Sequence, residues 1–323
     1  MKQSMLLALV TACAAGTSET PTQSRGLPPG DHTVRLRHDG VLRDAIVHVP
    51  PAAVRGEPLP AMLAFHGGGG TSAGFRDYAG LDAVADSAGF LVVYPDGTGP
   101  LRNRLLTWNA GGCCGPAMQR NVDDVGFIIA LLADLDRRTP VDERRVYATG
   151  HSNGAMMAYR LAAEHADRIA AIVPVGGAMM LNRFAPSRAV PVLHIHSVDD
   201  PRALYEGGLG PPFPGTNNRV DHKPVQDGLD QWIRNNGCSA SPTELERRSG
   251  RPASPEASHT AVKLSWTPCT SGADVMHWRL TVAGHGWPGQ GASGSPEAII
   301  GPRTSIVNAA REAWAFASRY TLR

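Results

Sequence analysis

Three groups in this chain have the types and the order that activate a serine hydroxyl. The first is Ser152, in Gly150-His151-Ser152-Asn153-Gly154. A β-branched and aromatic run, Val146-Tyr147-Ala148-Thr149, precedes it, and a helical stretch, Ala155 to Ala163, follows. Gly-x-Ser-x-Gly between strand and helix is the pattern of a nucleophile elbow, a sharp turn that lifts Oγ clear of a sheet. The glycines stand where a Cβ would meet neighbouring backbone. A serine hydroxyl is a poor nucleophile at neutral pH. An imidazole must take its proton, and a carboxylate must hold that imidazole in the useful tautomer. Both follow in chain order, each after a predicted strand. Pro191–His196 runs into Ser197-Val198-Asp199-Asp200, which offers two carboxylates. Met276–Ala283 runs into Gly284-His285-Gly286-Trp287-Pro288-Gly289, a tight loop presenting His285. The residues therefore point to Ser152, His285 and an aspartate at 199 or 200 acting together.

Acyl chemistry at such a serine develops an oxyanion that needs donors already in place. One candidate is the backbone N–H of Asn153, the residue after the nucleophile. The other comes from the loop after the third predicted strand, His66-Gly67-Gly68-Gly69-Gly70, with Gly68 as the candidate donor. A phosphate-binding reading of that loop fails, because no Gly-Lys-Ser/Thr follows and no register gives Gly-x-Gly-x-x-Gly. His194-Ile195-His196 beside Asp199 and Asp200 has the residue types of a zinc site. The strand is of the buried kind, so packed or hydrogen-bonded histidines are favoured and no metal is expected. Trp108 and Trp287 lie near the predicted active-site loops, as substrate-stacking platforms or as packing residues.

The elements that must position these groups read as one α/β domain. Thr33–Arg37 and Val41–Val49 alternate around His38-Asp39-Gly40, a hairpin signal. Strands are then predicted at Ala61–Phe65, Phe90–Tyr94, Arg145–Thr149, Ile169–Val175, Pro191–His196 and Met276–Ala283. Helices are predicted over Asp77–Ala88, on the face marked by Val122, Val125, Ile128, Ile129, Leu132 and Leu135, and over Ala155–Ala163, His222–Asn235 and Thr304–Tyr320. This order implies a mostly parallel, eight-stranded sheet with helices on both faces. Pro201–Asn218 and Ser239–Thr260 read as surface insertions, the first shaping the substrate entrance and the second a mobile excursion.

The 323 residues are 42% hydrophobic, enough for a large core, and carry a net charge of +2. That balance gives no reason to expect nucleic acid as a partner. Lys2, the apolar Met5–Val10 and Val10-Thr11-Ala12-Cys13 resemble a bacterial lipoprotein signal, in which Cys13 becomes the lipidated first residue. The expected division is a signal over 1–13, a flexible tether over 14–30 and a catalytic domain over 31–323, with the mature protein exported and Cys13 a membrane anchor. An ordinary secretory signal is the alternative. Without Cys13 four cysteines remain, an even number suited to an oxidising compartment. A vicinal Cys113–Cys114 bridge leaves Cys238 with Cys269; buried free thiols are the other reading.

Several segments together resemble the secreted polyhydroxybutyrate depolymerase and feruloyl or acetylxylan esterase family. They are His66-Gly67-Gly68-Gly69, Tyr94-Pro95-Asp96-Gly97, Trp108-Asn109-Ala110-Gly111 with Cys113-Cys114-Gly115, and Val122-Asp123-Asp124-Val125. Gly150-His151-Ser152-Asn153-Gly154-Ala155-Met156-Met157 and Gly284-His285-Gly286-Trp287-Pro288-Gly289 complete the set. The resemblance, from about Thr33 to the C-terminus, implies an α/β-hydrolase fold, a Ser–His–Asp triad and no metal or organic cofactor. It favours Asp200, four residues after His196 as in a His-Gly-x-x-Asp turn, although Ser197 replaces that glycine. It also implies an ester substrate, hydroxycinnamoyl, acetyl or short hydroxyalkanoate. The sequence shows no obvious separate polymer-binding domain, so small or oligomeric esters are expected rather than bulk polymer. A serine peptidase of the same fold and a catalytically retired cell-wall binding protein are the competing readings.

Overall fold

In the computed structural model, residues 26–101, 103–289 and 296–323 are described. The expected signal with Cys13, and most of the tether, lie outside the described residues. The chain opens with the hairpin β1 (Gly30–His38) and β2 (Val41–Val49), turning through Asp39 and Gly40 at φ 47° and 75°. It continues through β3 (Leu59–Phe65), α1 (Ser72–Ala79), α2 (Leu81–Ala88), β4 (Leu91–Pro95), α3 (Gly115–Gln119) and α4 (Asp124–Arg138). Next come β5 (Val141–His151), α5 (Asn153–Glu164), β6 (Ala171–Val175) and β7 (Val192–Ser197). A short ribbon of β8 (Gly208–Leu209) and β9 (Asp221–His222) leads to α6 (Val225–Asn236). The chain closes with β10 (Thr243–Ser249), β11 (Thr260–Ser265), β12 (Val275–Thr281), α7 (Glu297–Ile300) and α8 (Ala309–Ala317).

The strands form one sheet in the order β1-β2-β4-β3-β5-β6-β7-β12-β11-β10. From β4 to β12 neighbours run parallel, while both edges are antiparallel. Because side chains alternate across a strand, the apolar run of β3 feeds two cores at once. Ala61, Leu63 and Phe65 pack with α4, α5 and α6, whereas Met62 and Ala64 pack with α1, α2 and α8. The C-terminal ends of β3, β5, β7 and β12 therefore open at one edge of a sheet that helices cover on both faces.

The sheet has ten strands, not eight. The stretch Ser239–Thr260, expected to be a mobile excursion, holds β10 and the start of β11. β10 is an edge strand whose sequence, Thr-Glu-Leu-Glu-Arg-Arg-Ser, is mostly exposed. Charged edges of this kind discourage further pairing and give no apolar alternation to read. The helix expected over Asp77–Ala88 is two helices, broken at Gly80 in the left-handed region (φ 67°). The closing helix is shorter than expected, starting at an Asn308 cap that accepts the Arg311 N–H at 3.0 Å. Cys238 is paired with Cys269 between the end of α6 and the turn before β12, and Cys113 and Cys114 lie side by side at the start of α3.

Candidate active site

Ser152 joins β5 to α5 with φ 57° and ψ −119°, an unusual conformation for a residue with a side chain. Its N–H is tied to Val175 O at 2.8 Å, so the end of β6 holds the turn in place. The turn closes only because Gly150 and Gly154 lack side chains. A Cβ at Gly154 would strike the carbonyls of Phe65 and His66, and one at Gly150 would strike that of Gly154. A third glycine, Gly177, is needed for the same reason, since a Cβ there would meet Ser152 O. That one was not evident from the sequence, because no motif marks it.

His285 stands on the loop after β12, and its imidazole links the other two groups. Its Nε2 lies 2.9 Å from Ser152 Oγ, and its Nδ1 lies 2.6 Å from Asp200 Oδ2. The Asp200 carboxylate is buried and takes further N–H bonds on Oδ1 from Arg202 at 2.7 Å and Ala203 at 2.8 Å. Burial opposes its ionisation, but the charge of His285 and the hydrogen bonds from His196 and His285 outweigh it. They hold the carboxyl well below its usual range. Asp199 is exposed and turned elsewhere: its Oδ2 accepts the Val282 N–H at 2.7 Å, bracing the loop that carries His285. From the opposite side, His285 N–H bonds to Ile300 O at 2.5 Å at the end of α7.

The glycine loop after β3 forms the facing wall. The Gly69 N–H is engaged by Leu106 O at 2.7 Å and the Gly70 N–H by Gly67 O at 3.0 Å. A Cβ built at Gly67 would lie 3.5 Å from Ser152 Cβ, and one at Gly68 would lie 3.7 Å from Asn153 Cβ. Gly68 is thus the loop amide beside Asn153. The side chain of Asn153 clamps residue 108, its Oδ1 accepting the Trp108 N–H at 2.7 Å and its Nδ2 donating to Trp108 O at 3.1 Å. His66 anchors the loop from beneath: Nδ1–H donates to Gly67 O at 2.8 Å and Nε2 accepts the Gly97 N–H at 3.0 Å. Burial lowers its pKa to about 4, so the ring keeps the lone pair that Gly97 requires. The sequence flagged His66 only as a motif member; its anchoring role needed the partner loop.

Trp108 and Trp287 are not substrate platforms. Both are buried, 0% and 2% exposed, and neither lines the cleft. Trp108 Nε1–H bonds His66 O at 3.0 Å, and Trp287 Nε1–H bonds Ala79 O at 3.0 Å. They are wedges behind the glycine loop and the His285 loop. The cleft above Ser152 and His285 measures about 990 Å³ and is walled by Tyr78, Leu105, Met118, the Cys113–Cys114 pair and Phe213. Phe213 comes from the insertion after Asp200, which does shape the entrance. Its ring sits 3.4 Å from where a Gly68 Cβ would be, so it fills the room beside the bare glycine loop.

Burial holds the His66, His151 and His194 imidazoles around this site neutral. His151 donates Nε2–H to His285 O at 2.9 Å, and burial, then the charge of His285, lowers its pKa to about 3. His194 Nε2 and His196 Nδ1 bond to each other at 3.1 Å. No group of three potential metal ligands including either is found among the described residues. The pocket thus contains one imidazole placed to exchange a proton with Ser152.

A family model described as the alpha/beta hydrolase fold matches residues 60–194. The bifunctional acetylxylan esterase/xylanase XynS20E of Neocallimastix patriciarum is 26% identical over 77% of this chain. This chain spans 32% of that relative's length. Feruloyl esterase D of Neurospora crassa is 24% identical over 98% of this chain and 96% of its own. Among solved structures, a thermostable esterase superposes with a TM-score of 0.51 at 13% identity, covering 90% of this chain and 63% of that one. At that identity the likeness speaks for the fold alone.

Proposed function

We propose that this chain, which has the α/β-hydrolase fold and esterases among its relatives, is a serine carboxylic-ester hydrolase working through Ser152, His285 and Asp200. The observation that carries the reading is His285, with Ser152 Oγ at 2.9 Å on one ring nitrogen and Asp200 at 2.6 Å on the other, at the floor of an open cleft. Ser152 Oγ attacks the ester carbonyl carbon while His285 Nε2 takes the hydroxyl proton. The carbonyl electron pair moves to oxygen, where the N–H groups of Asn153 and Gly68 receive it. The tetrahedral intermediate collapses, the C–O bond to the alcohol breaks, and His285 returns the proton to the departing alkoxide. Water then attacks the acyl-enzyme with His285 as base, and Ser152 is restored.

The walls suit an ester with a flat or apolar acyl group: Phe213, Tyr78, Leu105 and Met118 offer apolar contact. Hydroxycinnamoyl, acetyl and short hydroxyalkanoate esters are the substrate classes to compare. A fluorophosphonate should label Ser152 alone, and purified protein should cleave methyl ferulate, aryl acetates or hydroxybutyrate oligomers. Labelling at another residue, or turnover by Ser152→Ala, refutes the mechanism.

Export rests on the signal-like N-terminus and the paired cysteines, and anchoring on Cys13. No helix among the described residues is long and apolar enough to cross a membrane. If Cys13 is acylated, Cys13→Ser releases the protein from the membrane pellet of expressing cells; a mature N-terminus beyond Cys13 in the wild type excludes the anchor.

A further inference from the structure

Behind Asp200 lies a buried row of side chains that the proposed reaction does not use. His196 Nε2 is 3.1 Å from Asp200 Oδ2, the same oxygen that takes the His285 Nδ1–H. His196 Nδ1 is 3.1 Å from His194 Nε2, and His194 Nδ1 is 3.0 Å from the Tyr159 hydroxyl. Tyr159, His194 and His196 are 1%, 0% and 2% exposed, so water does not supply alternative partners.

The geometry decides where each proton sits. His196 Nε2 faces two acceptors, Asp200 Oδ2 and, at 2.9 Å, Ala203 O, so it must carry hydrogen. In the neutral ring Nδ1 is then a lone pair, and His194 Nε2 must donate to it. His194 Nδ1 is in turn left as an acceptor, which the Tyr159 hydroxyl satisfies. His194 is held neutral by burial, reinforced by the neighbouring His196 and His277, which push its pKa well below the usual value. Every donor in the row therefore points toward Asp200.

We propose that His196 is a positioning residue for the acid, kept in its Nε2–H tautomer by His194 and Tyr159. This deepens the triad reading and rests on it. Two donors on one carboxylate oxygen fix the plane of Asp200 and share its negative charge between His285 and His196. With His196 gone, the charge acts on His285 alone and favours the imidazolium, which cannot take the Ser152 proton. The other titratable or charged groups near Asp200, His196 and His285 include His151 from β5, Arg202 and Tyr205 on the stretch after β7, His222 from β9 and His277 from β12.

Two measurements test the assignment. Long-range ¹H–¹⁵N spectra of ¹⁵N-histidine-labelled wild-type protein should show His194 and His196 as neutral Nε2–H tautomers. In kinetics on a reporter ester, His196→Leu should lower kcat by about 10- to 100-fold, the scale of one charge-assisted hydrogen bond, with KM unchanged. The acid limb of its kcat/KM profile should move to higher pH. His196→Gln, which returns an N–H near the same point, should recover most of kcat and restore the limb. An Nδ1–H tautomer or a charged ring at His196 overturns the proposal, as does a folded His196→Leu enzyme with wild-type kcat and pH profile. If His196→Leu does not fold, the wild-type spectra decide. A Ser152→Ala enzyme that keeps full activity would instead remove the triad itself.

Discussion

Two of the histidine–aspartate clusters among the described residues set opposite protonation states. At the antiparallel edge, the single imidazole of His48 faces Asp31 at 2.8 Å, Asp86 at 2.9 Å and Asp82 at 3.7 Å. Asp31 and Asp86 are exposed, and Arg76 shares Asp31 and Asp82. Burial disfavours a charged His48, but hydrogen bonds to Asp31 and Asp86 overcome it and raise its pKa. At the other cluster the numbers invert: one buried carboxylate, Asp200, serves two imidazoles, with His151 and His194 packed close behind. There the carboxylate is held ionised, and burial holds His151 and His194 neutral. The contrast teaches that the ratio of acids to imidazoles and the access of water assign the charge, not the residue types. It also leaves His285 as the group in contact with both Ser152 and a fixed negative charge.

The largest effects should come from breaking the catalytic cluster. Ser152→Ala and His285→Ala should each lower kcat on a reporter ester by about 10⁴-fold or more, to what the oxyanion donors and binding alone sustain. Asp200→Asn should follow at about 10³- to 10⁴-fold, because the amide can stabilise the wrong imidazole tautomer. Asp199→Asn, which touches only the Val282 N–H, should cost less than about tenfold; equal losses would mean the two acids share the role. A smaller effect is expected at the wall. Phe213→Ala should raise KM for methyl ferulate by about tenfold while leaving aryl acetates nearly unchanged, in keeping with one apolar contact removed.

The smallest effect belongs to His48. Because its folded pKa is raised above the ordinary 6.5, its contribution to stability is fully present below that value and fades as pH climbs through the folded one. The urea midpoint of His48→Gln should therefore trail wild type at pH 5.5 and approach it at high pH. A gap that widens with pH would reverse the assignment.

Much of the catalytic end was legible because its constraints are local. Ser152, Gly150 and Gly154 lie within five residues, and the chain order of acid and histidine follows from strands that end at one edge of the sheet. Asp200 over Asp199 needed more than spacing, since only the three-dimensional turn shows which carboxylate is buried against His285. Trp108 and Trp287 stayed open between stacking and packing for a related reason: nearness in sequence to an active-site loop does not say which side of the loop a ring occupies. Both rings lie on the inner side, where Trp108 Nε1–H meets His66 O and Trp287 Nε1–H meets Ala79 O. The strand β10 was hidden by its charges, and Gly177 and Phe213 by depending on segments far away in the chain. Long-range packing of that kind leaves no periodic trace.

Arg202 joins two things that are usually separate. Its backbone N–H holds Asp200, while its guanidinium donates to Pro212 O at 3.0 Å and lies 5.9 Å from the Phe213 ring. The machinery of turnover and the selector of what is turned over thus meet in one residue. For anyone recombining such enzymes, the insertion is not a free cassette. A transplanted substrate wall that begins at Pro201 carries the acid's support away with it, whereas one spliced between Glu206 and Val220 leaves Arg202, Ala203 and Tyr205 in their host. Diversification of this scaffold should accordingly tolerate crossovers inside the loop and punish those at its root.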